Sequence, residues 1–243
     1  MSTTVTILKR ELRANYDSPV VYVVVCLALV LLGFVFFYLG GFWQANRASF
    51  ENLFVWLPRG LSWVVIPVLT MRVLAEEKRS GTLEMLITLP VRDSEVIIGK
   101  FLGTWLIILL LISITLLYPI LMFKVWHLGA LDWGPIKAGY IGLVFYSAAA
   151  VSVGMLISSL TESQIIAFFV TWIILLALHL VGMLANHIDN ETMRAVVSFV
   201  SFDARLTPFT RGLITTRDLV YFASITLGCL MASFRALERR KWA

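Results

Sequence analysis

The chain has 243 residues, of which 59% are hydrophobic and 14% charged, and its formal net charge is +5. Because a soluble domain must hydrate its surface, roughly a quarter of its residues would normally be charged. This composition excludes an ordinary water-soluble domain and predicts a chain that is surrounded by lipid.

The amino-terminal segment, residues 1–18, is predicted to form a helix that lies in the membrane interface. Val5, Leu8 and Leu12 recur at helical spacing, and basic residues fall between them. Such an amphipathic pattern is typical of a helix whose apolar face enters the headgroup region. Pro19 then marks the turn into the membrane. The apolar run that follows is too long for a signal peptide and is predicted to be a permanent anchor.

Six apolar runs along the chain are predicted to cross the membrane as helices, since about 20 helical residues span ~30 Å of hydrocarbon. The second run is the least clear, because only 12 uncharged residues separate Arg59 from Arg72. Together the runs form a single transmembrane domain over residues 1–243. The predicted spans 1 to 6 cover residues 20–43, a run that ends near 72, then 101–123, 138–160, 165–185 and 219–234.

Arg59 has two interpretations that depend on where span 2 begins. If the helix begins near Asn52, Arg59 lies inside the membrane and needs an acidic or lipid-phosphate partner. If the helix begins at Pro58, Arg59 is an interfacial anchor, and we favour this second interpretation. At the other end of span 2, Arg72 is expected to snorkel to the interface.

An even number of spans places both termini on one side of the membrane. The amino end, the loop after span 2 and the carboxyl end hold 12 of the 20 Lys and Arg residues. Cytoplasmic loops carry the excess of basic residues, so both termini are predicted to be cytoplasmic. This loop bias also explains the net charge better than nucleic-acid binding does. The polar residues 186–218 are then predicted to form an extracytoplasmic loop.

The densest charge lies in the segment of residues 75–100, which carries nine charged residues in 26 positions. Ser80 or Thr82 can cap a short helix there, and Gly81 allows a tight entry. Pro90 ends that helix. A loop without a task could join two spans in a few residues, as "TESQ" does between spans 4 and 5. The pattern therefore favours a docking element over a solvated loop.

This segment resembles the signature of type-2 ABC transporter permeases, a T-R-x-x-x-E-E-x-x-x-G-T-x-E-x-L-x-x-x-P run after the second span. The nearest resemblance is to the small permeases of the gliding-motility and nitrous-oxide-maturation subgroup. The stretch "LTPFTRGLITTRDLVYF" and the basic "LERRKW" tail resemble that subgroup too. The residues that match the signature in order are Glu76, Glu77, Gly81, Thr82, Glu84, Leu86 and Pro90.

The resemblance implies an all-α polytopic permease of the bacterial inner membrane, with an interfacial amino-terminal helix. Residues 76–98 would form a cytoplasmic coupling hairpin that sits in a groove on a separate ATPase subunit. Two permeases, as a homodimer, and two ATPases would assemble in membrane lipid, sometimes with accessory or periplasmic subunits. ATP and Mg would bind to the ATPase, and this chain would hold no cofactor. The implied activity is ATP-driven export of a hydrophobic, amphipathic or envelope-related substrate.

The search for chemistry within the chain supports a subunit without its own nucleotide site. The sequence contains no G-x-x-x-x-G-K-[ST] run, so the ATPase is expected to be another polypeptide. No Ser-His-Asp, Cys-His or paired-carboxylate pattern indicates catalysis, and the chain is expected not to be an enzyme. An alternative stays open, in which the chain is a membrane anchor or sensor that recruits a cytoplasmic partner without transport.

The three histidines and two cysteines are scattered and show no metal-ligand or disulfide spacing. His179 differs from the others because it is an ionisable residue inside predicted span 5. An ionisable group in a helix bundle usually faces a partner or a water-filled path. His179 is therefore interpreted either as a partnered buried residue or as part of the translocation path.

Overall fold

The computed structural model describes residues 3–39, 50–81, 93–124, 132–185 and 188–239, and regular structure in these ranges is entirely helical. Apart from two five-residue π-helical stretches, Val35–Leu39 and Leu61–Val65, the helices are α-helical. The α-helices are Thr3–Tyr16, Pro19–Phe34, Glu51–Gly60, Ile66–Thr70, Ala75–Arg79, Asp93–Thr115, Leu117–Lys124, Trp133–Leu160, Gln164–Ala185, Glu191–Val200, Phe202–Thr210 and Thr216–Arg239.

Six helical stretches in the described ranges are long and apolar enough to cross a membrane, which confirms the predicted all-helical class with six spans. Most boundaries differ from the predicted ones by a few residues, because charged residues at helix ends continue the helix beyond the apolar run. Spans 1 to 6 are Pro19–Tyr38, Glu51–Arg79, Asp93–Phe123, Trp133–Leu160, Gln164–Leu184 and Thr216–Glu238.

Span 2 begins well before Pro58, so the favoured prediction of a start at Pro58 is wrong. Its helix starts at Glu51, so Arg59 lies in the third turn of the helix. Pro58 and Pro67 each remove one backbone donor from this span. The π-helical residues Leu61–Val65 lie between the two prolines, where the regular hydrogen-bond ladder is interrupted.

Span 3 breaks once near its end, at Leu116, between the helices Asp93–Thr115 and Leu117–Lys124. Pro119 explains the position of the break, because it has no amide hydrogen to donate to the carbonyl four residues earlier, that of Thr115.

Span 4 is the central helix and packs against spans 2, 3, 5 and 6. The run of small residues from Ser147 to Ser159 allows this close approach. A Cβ atom at Gly139 would lie 2.6 Å from the Phe54 ring, and one at Gly154 would lie 2.8 Å from Thr70 Cβ. Span 2 therefore rests directly on the backbone of span 4 at two levels.

The amino-terminal helix Thr3–Tyr16 packs against the start of span 3. Its contacts include the backbone at two glycines, since a Cβ atom at Gly99 or Gly103 would lie within 3.0 Å of Ile7 or Glu11. This end of the bundle, which also carries the helix Ala75–Arg79, is called the N-terminal end below, and the end that carries Glu51 and Trp133 is called the far end.

The predicted extracytoplasmic loop, residues 186–218, contains two short helices where it is described. The first, Glu191–Val200, is capped by the Asn190 side chain, and the second, Phe202–Thr210, by the Ser201 side chain. The second helix leans along span 4. Its Phe202 ring contacts Tyr146 near the middle of that span, and Gly212 lies against Pro135 near the far end. Part of this polar segment is therefore buried in the bundle.

Candidate functional site

The matched acidic residues Glu76 and Glu77 lie in the one-and-a-half-turn helix Ala75–Arg79, which ends span 2. The Ser80 hydroxyl donates to the carbonyl of Glu76 at the end of this helix. Gly81 follows with a φ of +70°, a backbone conformation that glycine adopts without steric cost. The helix and the glycine thus lead into the predicted coupling hairpin.

The rest of the predicted hairpin lies outside the described residues until span 3 begins at Asp93. This applies to four of the seven matched residues, Thr82, Glu84, Leu86 and Pro90. For these positions the hairpin stays a prediction.

Lys100 joins this acidic helix to the amino-terminal helix. It is 1% exposed, and its ammonium lies 2.8 Å from Glu11 Oε1, 2.9 Å from Glu77 Oε1 and 3.0 Å from the carbonyl oxygen of Val73. Two hydrogen bonds and a further ion pair with Glu77 therefore hold the ammonium. Arg10 adds a further bond of 2.8 Å to Glu77 Oε1. A buried ammonium is tolerated only when it is paired in this way, so the network fixes three elements together.

Span 4 holds the same helix from its other side. The Ser158 hydroxyl accepts hydrogen bonds from the amides of Leu74 and Ala75, at 3.1 and 3.0 Å. The Lys78 ammonium donates to the carbonyl of Ser159. These amides need an acceptor because the turn at residues 71–74 interrupts the helical ladder. The helix that leads into the predicted coupling hairpin is thus joined to spans 3 and 4 and to the amino-terminal helix.

A second polar network surrounds His179 toward the far end. His179 is 3% exposed, and its Nδ1 lies 2.6 Å from Asp203 Oδ1, while its Nε2 lies 3.0 Å from Tyr146 Oη and 3.3 Å from Ser62 Oγ. The other carboxylate oxygen of Asp203 accepts a bond of 2.8 Å from Arg59. The network therefore connects spans 2, 4 and 5 with the second short helix.

The electrostatics of this network favour an ionised Asp203. Burial raises the pKa of the Asp203 carboxyl, but the hydrogen bonds and charges of His179 and Arg59 outweigh burial and hold that pKa below its usual value. The carboxylate accepts from His179 Nδ1, and His179 Nε2 lies within hydrogen-bond distance of the hydroxyls of Tyr146 and Ser62. Tyr146 also donates to the carbonyl of Pro58, at 2.9 Å.

Ser62, His179 and Asp203 are hydrogen-bonded in the order of a hydrolase triad. The Ser62 side chain is 0% exposed, and its hydroxyl is hydrogen-bonded to Tyr146. A nucleophile closed to substrate does not catalyse hydrolysis in this conformation. The arrangement therefore acts as a buried cross-link between helices.

Of this second network, sequence reasoning had singled out only His179 and Arg59. Arg59 pairs with Asp203, which is the acidic partner expected of this residue if span 2 begins near Asn52. No local sequence pattern pointed to Tyr146, Ser62 or Asp203, because they lie 33, 117 and 24 residues from His179 in the chain.

A second ion pair fastens the short helix Phe202–Thr210 to the start of span 6. Arg205 Nη1 lies 2.9 Å from Oδ1 of Asp218, whose side chain is 0% exposed. The Thr215 hydroxyl donates to Asp218 Oδ2 at 2.7 Å. The guanidinium also lies over the rings of Phe199 and Tyr221. The first turn of the short helix is therefore held by charged hydrogen bonds to spans 2, 5 and 6.

Comparison with known families identifies the chain. The family model described as ABC-2 family transporter protein matches residues 60–234, from the third turn of span 2 to the last turns of span 6. The chain belongs to the ABC-2 transporter family. No curated protein matches it. This ABC-2 permease is therefore a multi-pass membrane protein and a membrane component of an ABC transporter.

The matched region of the ABC-2 permease contains the acidic helix, the predicted coupling hairpin and, apart from Arg10, Glu11 and Arg59, the residues of both polar networks. The amino-terminal helix and span 1 precede it. Glu11 and Arg10 reach from outside the match to contact Lys100 and Glu77 inside it. The first network therefore fixes the amino-terminal helix to the part of the permease that defines the family.

Proposed function

We propose that this ABC-2 permease is the membrane half of an ATP-driven exporter, and that residues 76–98 dock on a separate ATPase. The observation that carries the proposal is the attachment of the helix Ala75–Arg79. It is held by Lys100 of span 3, by the amino-terminal helix and by the end of span 4. A force applied to this helix by a motor reaches three other elements without passing through a flexible joint.

The ATPase belongs to a partner chain in this proposal, because the permease sequence has no P-loop. ATP and Mg would bind there. Two ATPases and a permease homodimer would form the transporter, with the permeases in the bacterial inner membrane and their termini in the cytoplasm. The gliding-motility and nitrous-oxide-maturation subgroup remains our assignment within the family, and accessory or periplasmic subunits are compatible with it.

The pairing of the charged groups within spans 2 and 3 supports the proposal that the energy for transport comes from a separate ATPase. Arg59 is paired with Asp203, and Lys100 with Glu11 and Glu77. Such pairs serve the packing of helices, whereas ion-coupled transport relies on carboxylates near the middle of the membrane. We propose a hydrophobic, amphipathic or envelope-related substrate.

His179 is proposed to border the translocation path in a closed state of the bundle. Its hydrogen bonds hold spans 2, 4 and 5 and the second short helix around one buried point. Opening a path beside His179 would break the contact with Asp203, which ties span 5 to the segment between spans 5 and 6.

The docking proposal is tested by co-purification with a candidate ABC ATPase. Leu86→Asp places a charge on the predicted apolar edge of the coupling hairpin and is expected to abolish co-purification. Leu213→Asp is the matched control, because Leu213 is exposed in the turn at the far end. Equal recovery of ATPase with both variants would refute docking at the hairpin.

ATPase rates in lipid separate the exporter from the alternative of a passive anchor. Lys100→Met removes the contact that holds Glu77 and leaves the predicted docking edge intact. We expect this variant to retain the ATPase but to lose most of the change in ATPase rate that the wild-type permease causes. If the wild-type permease binds the ATPase and leaves its rate unchanged, the chain is an anchor and the exporter assignment fails.

A further inference from the structure

A cavity of about 440 Å³ opens at the N-terminal end of the bundle, between the amino-terminal helix and spans 1 and 2. Its wall changes character along span 2. Val68 and Leu69 are apolar, Arg72 follows one turn later, and Glu76 one turn after that. The cavity is thus apolar toward the spans and charged toward the end of the bundle, which is the polarity profile of the interface between lipid tails and headgroups.

Most of the charged groups in this wall already satisfy one another. Arg10, Glu11, Glu77 and Lys100 form the ion network described above. Arg72 is different, because its buried Nε has no hydrogen-bond partner in the part of the chain that the structure describes. A buried guanidinium donor without an acceptor costs free energy, so Arg72 marks a place where an acceptor is needed.

Glu76 presents the opposite charge to the same cavity. It is exposed and lies four residues after Arg72, but the ion pairs within the described ranges do not include it. Because both residues line the same cavity, they offer one positive and one negative group to a single ligand.

We propose that this cavity binds the headgroup of an amine-bearing phospholipid, whose phosphate accepts hydrogen bonds from Arg72 and whose ammonium pairs with Glu76. The planar guanidinium matches phosphate oxygens in a bidentate manner. A zwitterionic headgroup also leaves the balanced charge of the wall unchanged, whereas an anionic headgroup would face Glu76 without a counter-charge.

An adjoining groove favours a lipid over a free phosphate as the source of this chemistry. The groove has a volume of about 520 Å³, shares Asn15 and Val21 with the cavity, and is lined mainly by apolar residues of spans 1 and 3. One acyl chain of the bound lipid lies in this groove. Inorganic phosphate or a soluble headgroup would fill the cavity and leave the groove empty.

The whole permease, purified in mild detergent and stripped of lipid, tests the proposal by native mass spectrometry. Titrations use phosphatidylethanolamine, phosphatidylglycerol and phosphatidylcholine. The wild-type permease is expected to bind one phosphatidylethanolamine about tenfold more tightly than phosphatidylglycerol. Arg72→Gln is expected to weaken binding of all three lipids by about tenfold or more, and Glu76→Gln to abolish the preference for the amine. Arg13→Gln, an exposed change on the amino-terminal helix, is the matched control.

Thermal unfolding without lipid checks that a loss of lipid binding is not caused by a loss of the fold. Because Arg72 Nε has no partner to lose, Arg72→Gln is expected to unfold at the wild-type temperature without lipid. The wild type gains stability when phosphatidylethanolamine is added, and Arg72→Gln does not. Equal affinity of the wild type for phosphatidylethanolamine and phosphatidylglycerol would overturn the amine assignment. Displacement of the lipid by millimolar inorganic phosphate or glycerophosphoethanolamine would overturn the lipid assignment.

Discussion

At the scale of single residues, Asp203 is the acceptor on which two partly or fully buried donors in the far half of the bundle depend. Its two carboxylate oxygens accept from His179 and from Arg59, which belong to spans 5 and 2. Each of those donors would be partly or fully buried without an acceptor if the carboxylate were removed. A single acidic side chain between spans 5 and 6 therefore governs how two spans meet.

Asp203→Asn is expected to lower the stability of the permease by about 1–3 kcal/mol at pH 7, because the amide cannot neutralise Arg59. The network lowers the pKa of Asp203, so the stability that its charge provides is present above the unfolded value of about 3.9 and is lost as the pH falls through the lower folded value. The difference between wild type and variant should shrink below about pH 4.

Thermal unfolding in detergent between pH 7 and pH 3 measures this difference. The control is Asp189→Asn, which removes an exposed carboxylate from the same inter-span segment and should leave stability nearly unchanged at every pH. A deficit of Asp203→Asn that stays constant down to pH 3 would show that its effect comes from shape and not from charge. The groups that face Asp203, namely His179, Arg59 and Tyr146, are unaltered in both variants.

At the scale of elements, two glycines on spans 2 and 4 provide opposite tests of helix packing. Replacing glycine with alanine in an exposed helix normally stabilises it by roughly 0.5–1 kcal/mol. A Cβ atom at Gly60 meets nothing within 4 Å, whereas one at Gly154 would lie 2.8 Å from Thr70 Cβ, a distance that requires the spans to separate. Gly60→Ala should therefore preserve or raise the unfolding temperature, and Gly154→Ala should lower it.

The Thr70 side chain identifies the cause of the Gly154 effect. In Gly154→Ala combined with Thr70→Ala, the overlap with the hydroxyl is relieved, and part of the lost unfolding temperature should return. Thr70→Ala alone removes only a hydrogen bond to the carbonyl of Ile66 within the same span. A Gly154→Ala variant as stable as Gly60→Ala would mean that spans 2 and 4 do not pack at this distance.

The elements also show what the sequence could predict. The existence of six spans follows from apolar length, which a single chain displays directly. The start of span 2 was missed because Arg59 was taken as the end of the apolar run, and the neutralising Asp203 lies 144 residues away. A local sequence pattern cannot show a contact between residues that lie so far apart in the chain. The two short helices before span 6 did carry a local signal, since Asn190 and Ser201 are ordinary helix caps.

For the predicted coupling hairpin, too, the sequence could predict one part of the structure and not another. The order of acids, glycine and proline predicts a docking element and a family, and the family is confirmed. The buried attachment of Glu77 to Lys100 was hidden, because in the sequence Lys100 reads as one more basic residue of a charged segment. Its burial follows from the packing of the amino-terminal helix over the start of span 3, which no local spacing specifies.

At the scale of the whole molecule, the two polar networks lie toward opposite ends of an apolar bundle. Spans 1 and 5 expose large apolar side chains along much of their length, among them Val30, Phe34, Ile173 and Leu184. Surfaces of this kind are stable only against lipid or a second copy of the chain. The Lys100 network fixes the N-terminal end, and the Asp203 network fixes the helices near the far end.

The orientation of this bundle is predicted with the N-terminal end in the cytoplasm, and cysteine labelling in intact cells tests it. The native Cys26 and Cys229 lie within spans 1 and 6 and are first replaced with serine. Single cysteines are then placed at two exposed positions, Arg79 at the N-terminal end and Leu213 at the far end. A membrane-impermeant maleimide should label Leu213→Cys in intact cells and Arg79→Cys only after the membrane is opened. The reverse pattern would place the acidic helix outside the cell, where no ATPase could use ATP to act on it, and the proposed coupling would fail together with the orientation.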